Sequence, residues 1–189
     1  MGAGVEQVKV FFKCQREEIP GTVGVCLDQI RKKTESGFID DSLYSRVKWV
    51  IAELLTNAVK HSGQEESCLV INIGEESLML EKEDFGKPLV LTGQDCRSIM
   101  WPLENLALPI DFPIYHNGMD SLFVRADQAG KATFFVEELP EMAMPGLLSD
   151  ISEHFGLLIM TKASDAFTYE YDMLNGVNRF VCLFDLKKR

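Results

Sequence analysis

The stretch DSLYSRVKWVIAELLTNAVKHS, from Asp41 to Ser62, decides how the rest of the chain is read. Its apolar residues Leu43, Val47, Val50, Ile51, Leu54, Leu55 and Ala58 recur at spacings of three and four. At about 100° per residue they fall within an arc of roughly 140°, which predicts a long helix with one face on a core. Asp40, Asp41 and Ser42 offer N-cap oxygens, and Ser62-Gly63 ends the helix near His61. Glu53 and Asn57 are one helical turn apart and stack on one side, at the edge of the apolar arc, with Trp49 and Lys60 close by. An amide oxygen is a hard ligand for Mg²⁺, and a carboxylate can orient or deprotonate a hydroxyl. Spacing alone equally describes a solvated helix flank.

Outward from this helix, Val8 to Cys14 suits an opening strand, and Val23, Cys26, Leu27 and Ile30 mark a helix from Pro20 to about Lys33. Leu69 to Ile73 and Leu78 to Leu80 read as strands, and Pro88 to Leu91 as a further strand or an extended exit. Gly93 to Pro113 mixes a short helix with prolines, while Ser121 to Ala126 and Ala132 to Glu138 look like hairpin arms. Pro140 and Pro145 bracket a methionine-bearing loop. A short helix from Leu147 to Phe155, a strand from Leu157 to Met160, a strand from Phe167 to Tyr171, the turn Asn175-Gly176 and a strand from Phe180 to Leu186 close the chain. This order predicts an α+β two-layer sandwich with a mixed, largely antiparallel sheet, in preference to a doubly wound parallel one.

The 189 residues are 46% hydrophobic and 25% charged, a composition that supports a globular core. With 29 acidic against 19 basic side chains the net charge is −10, which argues against holding nucleic acid or an anionic membrane by the overall field. The 5 cysteines are scattered without a C-x-x-C pair, so neither a disulfide framework nor a zinc knuckle is indicated. The start of the chain lacks a signal-peptide pattern, and no run approaches the roughly 20 apolar residues of a membrane span. A cytoplasmic protein is expected. The 3 histidines share no metal-binding spacing, and His61, inside the apolar arc, is expected to be semi-buried. Nucleophile-elbow, P-loop and dinucleotide fingerprints are absent from the sequence.

The string Glu53-Leu54-Leu55-Thr56-Asn57-Ala58-Val59-Lys60-His61-Ser62 resembles the N-box of the GHKL superfamily (gyrase, heat-shock chaperone, histidine kinase, MutL), most closely the E-x-x-x-N-A-x-x-H form of anti-sigma-factor serine kinases. Asp84-Phe85-Gly86-Lys87-Pro88 resembles the family's D-x-G-x-G box, and Met144-Pro145-Gly146-Leu147 its G-x-G-L box. Gly176 to Val181 resembles the closing strand turn. The resemblance covers approximately residues 5 to 91 and 144 to 186.

It implies one domain over 1–189 with the histidine-kinase-like (Bergerat) ATP-binding fold, and an insertion over 89–143 in place of the ATP lid. It also implies ATP and Mg²⁺ as cofactors. Asn57 would ligate the metal, Glu53 would act as base on a partner's serine, and Asp84 would read adenine. Gly86 and Gly146 would allow close backbone approach, with Lys60 and Lys87 supplying phosphate charge. The partner would be a protein, a regulator or sigma-factor-like, with dimerisation left open and no direct role for nucleic acid or membrane. The departures are Pro88 and Met144 where the family has glycines, and the long insertion. They keep a second expectation in play, a non-catalytic interaction module with weak or no nucleotide binding.

Overall fold

A computed structural model describes residues 5–33, 40–93, 96–104, 107–116, 120–138 and 154–187. Strand β1 (Glu6–Lys13) leads through a short turn into helix α1 (Ile19–Lys33), followed by α2 (Asp41–His61), β2 (Glu66–Ile73) and β3 (Ser77–Asp84). Then come β4 (Val90–Thr92), β5 (Ser98–Met100), β6 (Ile110–His116), β7 (Asp120–Ala126) and β8 (Ala132–Glu138). Helix α3 (Phe155–Ala163) precedes β9 (Ala166–Asp172) and β10 (Val177–Asp185).

Among the described residues the main sheet has 8 strands in the order β1-β2-β3-β10-β9-β8-β7-β6, and each neighbouring pair is antiparallel. Side-chain alternation gives the sheet one core face. A single row of that face runs Val8, Ile71, Leu80, Cys182, Phe167, Phe134, Val124, Phe112 from one edge to the other. The helices cover this face: α1 meets β1 and β2, α2 meets β3, and α3 meets β8 and β9. All seven apolar residues that define the α2 stripe are buried. Asp40 caps the helix, its carboxylate accepting from the Leu43 amide at 2.7 Å. The fold is thus α+β, with helices layered on a large antiparallel sheet. Among the described residues no helix is long and apolar enough to cross a membrane.

Three expectations need correction. Leu157 to Met160 lies inside α3 and not in a strand, so the chain closes on the two strands β9 and β10. A short apolar run buried on several sides has the same signature in either state, and here Leu157, Leu158 and Met160 face a core shared with α2. The described residues between Gly93 and Pro113 hold β5 and the start of β6 and no helix. His61 is exposed: its backbone carbonyl packs near Gly86 and its neighbours Ala58 and Ser62 are buried, but its side chain lies on the outer side of the last turn of α2. The helix expected over Leu147 to Phe155 lies outside the described residues as far as residue 153, and Phe155 opens α3.

Among the described residues between 90 and 138 the regular elements are all strands. β4 and β5 form a separate two-stranded ribbon, whereas β6, β7 and β8 form a meander that continues the main sheet beyond β9. Trp101 pins the ribbon to the body, 2% exposed, edge-on to Tyr169 at 5.3 Å, with Nε1 donating to the Gly130 carbonyl at 2.7 Å.

Candidate functional site

Helix α3 runs antiparallel to α2. Its C-terminal carbonyl at Ala163 accepts from Arg46 Nε at 2.7 Å, while Gly156 in its first turn lies against Glu53. A Cβ built on Gly156 would stand 2.6 Å from Glu53 Oε2 and 3.9 Å from Asn57 Oδ1. Glycine is therefore what lets the first turn of α3 reach the Glu53/Asn57 pair. The N-cap residue of α3, His154, makes no side-chain cap; its Nε2 instead lies 3.0 Å from the Thr92 carbonyl of β4. The first turn of α3 thus packs directly beside the two polar side chains of α2.

Glu53 is half-buried, and burial pushes its carboxyl above the usual glutamate range, with Lys60 pulling it part of the way back. A carboxylate tuned upward in this way accepts a proton more readily near neutral pH. Lys60 and Lys87 are exposed, and Asn57 is half-buried beside Glu53. Gly146 lies outside the described residues. Within the cleft, the glycine against the polar pair is Gly156, which the motif reading missed. The available signal was Gly156-Leu157 at the head of an apolar run.

Asp84, at the end of β3, has different surroundings. Its Oδ2 pairs with the Lys82 ammonium, and its Oδ1 accepts from Asn178 Nδ2 at 2.9 Å and from the Gly86 amide at 2.9 Å. Asn178 Oδ1 in turn accepts from the Tyr169 hydroxyl at 2.6 Å, and that hydroxyl accepts from the Leu89 amide at 3.0 Å. The network fixes the turn after β3 to β9 and β10. Burial pulls the Lys82 ammonium below the usual lysine range, with Asp84 opposing, and pushes the Tyr169 hydroxyl well above its own. Gly86 serves a packing need: a Cβ there would meet the Ser62 carbonyl at 2.8 Å and the His61 carbonyl at 3.1 Å. Its missing side chain thus admits the end of α2.

Lys82, Asn178 and Tyr169 also escaped the motif reading. Lys82 falls in the inward phase of β3 with Leu78, Leu80 and Asp84, a phase hidden when the strand is ended at Leu80. Sequence comparison gives no family assignment. The chain matches no family model and no curated protein.

The residues divide by chemistry into two ends along the C-terminal half of α2. Glu53 and Asn57, beside Gly156 and the first turn of α3, offer groups that could meet a metal-bound phosphate: an amide oxygen for the cation and first-turn amides for the anion. The Asp84 end is a closed polar network.

Proposed function

We propose that the chain is a Mg–ATP-dependent regulatory protein of the GHKL type, similar to anti-sigma-factor serine kinases, that binds a protein partner and phosphorylates a hydroxyl on it. The observation that carries this reading is the approach of Gly156 to Glu53 and Asn57, which supports a phosphate-binding cleft between α2 and the first turn of α3. The two-layer fold and the N-box resemblance point the same way.

Bound Mg–ATP would supply the transferable γ-phosphoryl group. Asn57 would give an oxygen to the cation. Among the described residues no group of three or more His, Cys, Asp or Glu side chains is placed around a metal, so the nucleotide's own oxygens would complete the coordination. Glu53, with its raised affinity for a proton, would orient the partner hydroxyl and take its proton. The amides opening α3 would hold phosphate oxygens, which matters in a chain of net charge −10. Exposed Trp49, one turn before Glu53 on α2, and exposed Phe155, next to Gly156, leave apolar surface at this cleft.

The test uses γ-labelled ATP with Mg²⁺ and an array of serine- and threonine-bearing peptides. The reading expects label on the array that is lost in Glu53→Gln while nucleotide binding is retained; label retained in Glu53→Gln contradicts the assignment of the base. The closed Asp84 network favours a second reading, in which the fold serves as a protein-interaction module without nucleotide. Failure of Mg–ATP to bind at about 1 mM would select it.

A further inference from the structure

The buried end of the site carries an inference that rests on the Mg–nucleotide reading above. An enzyme selects a base by aiming unpaired polar groups at the edge of its ring, and a base lacking the matching groups is then rejected. An adenine amino group needs an acceptor that the ligand can reach, and in the box that Asp84 resembles that acceptor would be its carboxylate. Asp84 does not meet this condition. Its side chain is 5% exposed, and both oxygens are engaged, Oδ2 by Lys82 and Oδ1 by Asn178 and the Gly86 amide.

The engagement is built into the sheet. Lys82 occupies the core row Val10, Leu69, Lys82, Phe180, Tyr169, Ala132, Ala126, where it is the sole charged residue. Its Nζ lies 4.6 Å from the centre of the Phe180 ring, and its side chain is 1% exposed. The ammonium meets its counter-charge in Asp84 Oδ2. On the other side the turn is held as well: Asn178 Nδ2, besides Asp84, shares its second hydrogen between the Gly86 and Lys87 carbonyls at 3.1 and 3.2 Å, and Gly86 packs on the end of α2. No buried side-chain nitrogen or oxygen among the described residues lacks a hydrogen-bond partner. Each buried polar atom thus has a partner without a ligand, and displacing Lys82 from Asp84 would strand a buried charge.

We infer that Lys82 takes the hydrogen-bonding place on Asp84 that a base amino group would need, so that the chain selects nucleotides through phosphate and Mg²⁺ and does not distinguish adenine from guanine. Lys82 is then the specificity-determining residue. The groups at the phosphate end, Glu53, Asn57 and the α3 amides, are placed to meet phosphate and metal and carry no information about the base.

The experiment is displacement of a fluorescent ATP analogue from the full chain by Mg–ATP and by Mg–GTP. The two dissociation constants are expected within about threefold of each other, whereas a hydrogen bond to a charged group would separate them by roughly tenfold or more. Lys82→Met frees the carboxylate and should shift the ratio toward ATP by about tenfold. If circular dichroism shows that Lys82→Met does not fold, the wild-type ratio still decides. A wild-type preference for ATP above about tenfold, abolished in Asp84→Asn, overturns the inference and leaves the Mg–nucleotide reading standing. Displacement by neither nucleotide overturns both.

Discussion

Replacing Gly156 by alanine separates packing from function at the cleft. Gly156 has ordinary helical backbone in the first turn of α3, so alanine fits its dihedral angles and gains about 1 kcal/mol of helix propensity. Against this, the new Cβ would stand 2.6 Å from Glu53 Oε2, and the carboxylate must withdraw to the 3.4 Å of ordinary contact. The carboxylate is the far end of a flexible side chain, and turning it off its preferred rotamer costs about 0.5–1.5 kcal/mol. The two effects nearly cancel. Stability should therefore stay within about 1 kcal/mol of the parent in urea denaturation. Function should not be spared, because displacing a reacting group by about 1 Å can cost about a hundredfold in rate. Phosphoryl transfer to peptide from labelled ATP would read this loss. A Gly156→Ala chain that transfers label at the parent rate would refute the reasoning, and so would one destabilised by more than about 3 kcal/mol, since Glu53 would then be held by packing.

Four further outcomes are expected. Lys82→Met leaves the Asp84 charge buried and unpaired and should cost about 3–5 kcal/mol in denaturant unfolding, with most of it recovered in the Lys82→Met/Asp84→Asn double variant. Burial raises the folded-state affinity of Glu53 for a proton, so its contribution is fully present below the unfolded value of 4.5 and is lost as pH rises through the raised folded value. The stability difference between Glu53→Gln and parent should therefore grow in favour of the variant as pH climbs through that window, as followed by urea midpoints. Trp101→Ala removes a buried indole and its bond to Gly130, and a loss of about 3–5 kcal/mol is expected by thermal or denaturant melting. Asp40→Ala should cost about 1 kcal/mol of stability in the same assay through loss of the α2 cap.

Much of the fold was legible because α2 is a long periodic segment with a local cap. Leu43, Val47, Val50, Ile51, Leu54, Leu55 and Ala58 are buried as their spacing requires, and Asp40 caps as its side chain allows. The hairpin β7–β8 was legible for a similar local reason, Gly130 taking the positive φ of 79° that its turn needs. The place of that hairpin in the sheet was not, since the pairing of β8 with β9 joins residues distant in sequence and leaves no local signal. At the site, Glu53 and Asn57 could be read from a motif on one helix. Gly156 could not, because its meaning depends on how α3 docks on α2; the glycine box was instead read at Met144 to Leu147, of which the described residues include none. Lys82 shows the same limit from the other side: a charged residue near the end of a strand reads as solvated until the sheet registers place Leu69 and Phe180 beside it.

Asn57, where α2 meets the first turn of α3, is proposed to hold Mg–ATP. Titration calorimetry with Mg–ATP on the parent chain and on Asn57→Ala tests it most directly. The expected result is saturable binding by the parent that requires Mg²⁺ and weakens by about tenfold or more in Asn57→Ala. Absence of binding by the parent at about 1 mM nucleotide, or equal affinity in the variant, would contradict it.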